Sequence, residues 1–173
     1  MRKGSERVRI LGIDPGYAIV GYGVIDYAAN RFHVAAYDAI TTPAEAEFTT
    51  RLESIYNDMV AVIDRYKPDA MSVEKLYFNT NITTGIAVAQ ARGCILLAAQ
   101  QAGLPVYEYT PLQIKQAVTG YGKAEKRQMI AMTTKLLNLA QPPKPDDVAD
   151  ALAAAICHAH SAGSLLDRIK FRR

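Results

Sequence analysis

The chain has 173 residues, half of them hydrophobic and 21% charged, which suits one soluble domain with a single sizeable core. No apolar run reaches the roughly 18 residues that a membrane span requires, and the basic start "MRKGSERVR" has no apolar segment after it, which argues against a secretory signal. A net charge of +3 does not by itself announce a nucleic-acid binder, yet basic residues gather in "KAEKR" and in the tail "DRIKFRR".

In chain order, residues 8–14 and 17–27 read as two strands around the turn "DPG", and 31–41 as a third. Short links between them predict an antiparallel meander. Pro15 fixes φ and Gly16 frees it, so a turn forms directly after Asp14. Ala44 to Tyr66 is a helix with Phe48, Leu52, Ile55, Met59 and Ile63 on one stripe, ended by Lys67-Pro68. "AMSVEK", 70–75, is a short strand, parallel to the first because a helix carries the chain back.

A helix rich in small residues then runs from Ile82 to Gln101, followed by a strand at 105–110. Helical turns at 111–118, a helix over 124–139, the break "QPPKP" and a last helix over 146–160 complete the order. The pattern predicts an α/β protein of ribonuclease H-like class, with a mixed five-stranded sheet and helices on both faces. One domain spans 1–173, with 1–7 and 162–173 read as flexible basic termini. Cys94 and Cys157 sit in apolar helical segments, so free thiols and a cytoplasmic setting are expected.

Asp14 ends the first strand and Glu74 nearly ends the fourth. If these strands are parallel neighbours, both acids stand at one carboxyl rim, where ligands bind in such sheets. In "PDDVADALAAAI", Asp147 and Asp150 lie three apart on one face of a first turn. A lone acid there is accounted for by the helix dipole, and Asp146 by capping, but the pair heads a helix that is otherwise apolar. Oxygen-only ligands in such number suit Mg²⁺ or Mn²⁺, and two such ions about 3.5–4 Å apart can serve an in-line phosphoryl displacement. His158 and His160 lie two to three turns beyond the acids and read as packing or surface residues.

"LGIDPG", "VEKLYF", "AQARG", "KQAVTGYGKAEK" and "DDVADALAAAICHAH" follow in the order and spacing of the RuvC-type Holliday-junction resolvases, which the chain resembles from about residue 8 to 160. The resemblance implies a homodimeric, Mg²⁺-dependent endonuclease that nicks four-way DNA junctions in symmetric pairs, leaving 5′-phosphate and 3′-hydroxyl. It implies two metals per site, with Mn²⁺ able to substitute, held by Asp14, Glu74, Asp147 and Asp150. It further implies base contact by Tyr77, with Phe78 as the neighbouring aromatic, and DNA contact by Lys115 and Lys126. Lys123 and Arg127 add phosphate contacts, Gly120 and Gly122 let their loop bend, and Arg92 either touches DNA or braces the fold. The implied partners are a four-way junction, a second copy and the RuvA–RuvB branch-migration complex, with no membrane. Two other readings stand beside it. One is a ribonuclease H-like nuclease for another nucleic-acid structure. The other is an actin-like ATPase phosphate turn, since Asp14-Pro15-Gly16 to Gly21 fits D-x-G-x-x-x-x-G.

Overall fold

In the computed structural model, which describes residues 7–76 and 82–170, β1 (Val8–Asp14), β2 (Ile19–Ala28) and β3 (Arg31–Thr41) form the expected antiparallel meander. Ala29 and Asn30, with φ of 49° and 59°, make the two-residue turn whose twist matches the right-handed twist of the flanking strands. The chain then enters α1 (Phe48–Tyr66), whose Ile55, Met59 and Ile63 are buried on one stripe. This helix starts one turn later than expected from Ala44, because residues after Pro43 are spent in a turn. Lys67 ends it in the left-handed conformation, its N–H bonded to Ile63 O at 2.9 Å.

Next come β4 (Ala70–Glu74), α2 (Ile82–Gln101) and β5 (Val106–Tyr109), with β4 parallel to β1 and β5 parallel to β4. The sheet order is β3-β2-β1-β4-β5. Three helices rather than two follow it. Residues expected as loose helical turns form a complete helix, α3 (Pro111–Thr119), because Thr110 and Gln113 close a reciprocal capping box with Pro111 at the first position. The fourth helix, α4 (Lys126–Leu136), is shorter than the expected 124–139, since Leu137 caps it and Asn138 turns to φ 51°. The last, α5 (Asp146–Lys170), runs past His160, where the expected helix ended.

Alternation along β1 divides the core. Leu11 and Ile13 face α1 and α2 with Val20, Val24, Met71 and Val73, whereas Ile10 faces α5 with Ile25. Asp14 and Gly12 therefore share the α5 face. On that face Gly12 pairs with Gly23, and Asp14 with Gly21. The three glycines form a trough. A Cβ on Gly12 would stand 2.8 Å from Ala155 Cβ, and one on Gly21 would strike the Asp147 carbonyl and lie 2.8 Å from Val148 N. Alanines on the helix meet glycines on the sheet, so the α5 backbone approaches far closer than ordinary helix-on-sheet packing permits. From β4, Ser72 Oγ donates to Ala154 O at 2.6 Å, which pins the helix along the trough.

Candidate active site

The trough decides where the acids meet. Parallel register sets Ile13 beside Val73, so the next residues, Asp14 and Glu74, lie side by side at the strand ends, both toward α5. Gly21, opposite Asp14, receives the first turn of α5 and brings Asp147 and Asp150 to the same rim. Asp14 is pushed up to about 8, first by burial and then by the charges of Asp150, Glu74 and Asp147. Glu74 is raised by burial and by Asp150, with Lys126 and Lys115 opposing. Asp150 is raised by burial, against its bond from Lys126. All four acids thus act on one electrostatic point.

Among the described residues, no three His, Cys, Asp or Glu side chains close into a ready-made metal group. Lys126 ion-pairs with Asp150 in their midst. Burial lowers the Lys126 pKa, but Asp150 and Asp14 outweigh it and hold the ammonium above its usual range. An all-oxygen donor set with unrelieved mutual repulsion, drawing in the nearest ammonium, fits a hard divalent cation. Asp146, expected as a cap, is instead the first helical residue of α5.

Beside the acids opens a cleft of about 280 Å³, lined by Glu74, Ile114, Lys115, Lys126, Met129 and Asp150. Lys115 on α3 and Lys126 on α4 therefore flank the carboxylates, while Lys123 and Arg127 are exposed just outside. Tyr77 and Phe78 lie outside the described residues. Arg92 ion-pairs with Glu108, bracing α2 against β5. His158 is buried, its Nδ1 2.7 Å from Tyr109 Oη and its ring 4.4 Å from that of Tyr107, while His160 packs on Phe32; neither imidazole joins the acids. Gly120 ends α3 at φ 73°, and Gly122 is clamped under Leu112. Both cysteines are free thiols, and burial pushes that of Cys157 up to about 11.

The glycine trough is what sequence reading missed. Gly21 then counted only as the last residue of a phosphate-turn pattern, whereas Asp147 and Val148 backbone atoms stand where its side chain would be. The available signal was the alternation Gly21-x-Gly23 with Gly12, a strand face stripped of side chains opposite an alanine-rich helix. A larger cleft of about 520 Å³ lies between the C-terminal ends of α1 and α2, at the opposite edge of the sheet from the acids.

Fold and acid cluster together define a class: a ribonuclease H-like α/β protein with a carboxylate centre at the carboxyl rim of its mixed sheet. Residues 10–158 match the family described as crossover junction endodeoxyribonuclease RuvC. The chain is 52% identical over 164 residues to the crossover junction endodeoxyribonuclease RuvC of Ruminiclostridium cellulolyticum, spanning 94% of this chain and 99% of that one. Its identity to the Halothermothrix orenii protein of the same name is 58% over 152 residues, spanning 88% and 92%. The structure of Thermus thermophilus RuvC in complex with Holliday junction substrate matches at a TM-score of 0.82 and 32% identity, covering 91% of this chain and 96% of that chain. The chain belongs to the RuvC family of crossover junction endodeoxyribonucleases.

Proposed function

We propose that the protein is a metal-dependent endonuclease that resolves four-way DNA junctions by paired, symmetric nicks in recombination and repair. The convergence of Asp14, Glu74, Asp147 and Asp150 on one rim, in a chain of this family, carries the reading. Those four carboxylates hold the metal, and their oxygen-only chemistry favours Mg²⁺, two ions per site, with Mn²⁺ able to substitute. When bound, such ions activate a water and stabilise the departing 3′ oxygen of an in-line displacement.

The remaining work falls to this chain's own groups. Asp14 is held by β1, Glu74 by β4, and both aspartates by a helix locked in its trough, so the donors are fixed before DNA arrives. Lys126 and Lys115 neutralise surplus carboxylate charge at the cleft and meet the phosphates of the strand to be cut. Lys123 and Arg127 extend that positive margin outward, and the resemblance assigns base contact to Tyr77. The whole chain acts as one nuclease domain. Two copies pair through α2, which is rich in small side chains and exposes Ile86 and Leu97 by 52% and 51%. Two identical sites then face a substrate of near two-fold symmetry. Its free thiols suit a cytoplasmic protein, and among the described residues no helix is long and apolar enough to cross a membrane. RuvA–RuvB is the expected branch-migration partner.

Cleavage of a mobile four-way DNA junction and of a linear duplex of the same sequence, compared in Mg²⁺, tests the reading. Nicks at symmetric positions on opposing strands of the junction are expected, with the duplex left whole. Equal cutting of both substrates would favour a nuclease for another structure.

A further inference from the structure

Tyr121 belongs to none of the roles above, yet its surroundings are built to display it. It is 57% exposed, the most exposed of the large hydrophobic residues among those described. Its loop is not slack. Gly120 turns the chain at φ 73°, Thr119 Oγ1 accepts the Tyr121 N–H at 3.1 Å, and the same hydroxyl donates to Lys115 O at 2.8 Å. Tyr121 O accepts from Ala124 N at 3.2 Å, and the exposed Leu112 side chain lies over Gly122. A large aromatic ring is thus held in water by a rigid frame, with its ordering entropy already spent.

Beside the ring lies a second cleft of about 370 Å³, lined by Thr119, Tyr121, Gln128, Ala131, Met132 and Lys135. On α4 these residues form one stripe, at spacings of three and four, turned away from Lys126. Arg127, about 100° round the helix from Lys126, stands between the two clefts. The Gln128 carbonyl oxygen accepts from Glu125 N at 2.8 Å, which leaves the amide NH₂ as a donor at this cleft. Apolar floor, aromatic wall, amide donor and ammonium rim are together the chemistry of a nucleotide: base to stack, base edge to bond, phosphate to neutralise. A protein partner is the other candidate occupant. Exposed Lys123 and Arg127, with Lys135 in the cleft lining, outnumber the single intervening acid, Glu125, and favour a polyanion.

We infer that Tyr121 is a second nucleic-acid contact, stacking on a base or sugar of the junction arm that leaves the active site across the start of α4. The inference rests on the junction-nuclease reading and adds a stacking platform to it. Stacking differs from phosphate contact in its salt signature. Losing the ring should weaken binding about fivefold or more while the log–log salt slope stays unchanged, because no counterion release is lost.

The experiment uses the full chain in EDTA, with a fluorescent four-way DNA junction as probe. Tyr121→Ala should bind at least about fivefold more weakly at the wild-type slope, and Tyr121→Phe should bind as wild type, since the ring and not the hydroxyl does the stacking. The chain has no tryptophan, so Tyr121→Trp supplies a sole reporter whose emission should be quenched on adding unlabelled junction. Wild-type affinity in Tyr121→Ala together with unchanged emission from Tyr121→Trp would overturn the inference alone. A slope reduced by about one unit in Tyr121→Ala would overturn stacking in favour of a displaced phosphate contact. Wild-type protein that binds no junction would overturn the junction reading with it.

Discussion

Asp14 carries the most strained charge at the site. Its folded pKa of about 8 stands well above the ordinary carboxylate value. Between about pH 4 and 8 the metal-free native state therefore keeps a proton that the unfolded chain has released. Stability from this group is fully present below the unfolded value and is lost as pH rises through 8. Asp14→Asn removes that loss while nearly preserving shape. In EDTA, the melting temperature of the variant minus that of wild type should widen from pH 5 to pH 8 and then level off. A gap that stays flat, or a variant that melts lower throughout, would show Asp14 to be a turn-forming residue instead. Lys126 softens the effect without removing it, since one ammonium faces several carboxylates.

At the scale of elements, α5 governs the site through its seat on the sheet. Gly21→Ala drives a methyl into the backbone at Asp147, and backbone cannot swing aside as a flexible side chain can. The expected cost is about 2–3 kcal/mol of stability, read from denaturant unfolding, with nicking reduced about a hundredfold as the two aspartates shift. Near wild-type values in both would mean that α5 is not locked by the trough. The middle of the helix is tied by His158, which burial holds down to about 4, hydrogen-bonded to Tyr109. The unfolded imidazole takes up a proton near pH 6.5 and the folded one resists until about 4. Acid therefore favours unfolding across that window, by about 3 kcal/mol in full. Because Asp14 titrates in the opposite sense, the difference between wild type and His158→Gln is the proper readout. That difference should shrink as pH falls from 7 to 4.5, and a constant difference would refute the buried neutral imidazole.

Strand ends and acids were legible in the sequence because apolar runs stop abruptly at Asp14 and Glu74, and because Asp147 and Asp150 share a helical face. The trough was not, since Gly12 and Gly23 become a pair only once register is known. Complete formation of α3 was signalled locally, by Thr110-Pro111 with Gln113 three residues on, a cap stronger than the few apolar positions after it suggested. The length of α5 was hidden by Ser161, Gly163 and Ser164, which are weak helix formers.

For the whole molecule, a sheet places two acids at one rim, a helix adds two more, and Lys115 and Lys126 flank them. On the proposed reading, binding and chemistry are separable, because the groups that meet DNA are not the carboxylates that hold the metal. The most direct measurement is single-turnover nicking of a four-way DNA junction in Mg²⁺ by Asp14→Asn, on the same preparation whose junction affinity is determined. The account predicts affinity within a few fold of wild type and nicking reduced to background. A variant that binds the junction and cuts it at near the wild-type rate would contradict the assignment of the metal centre.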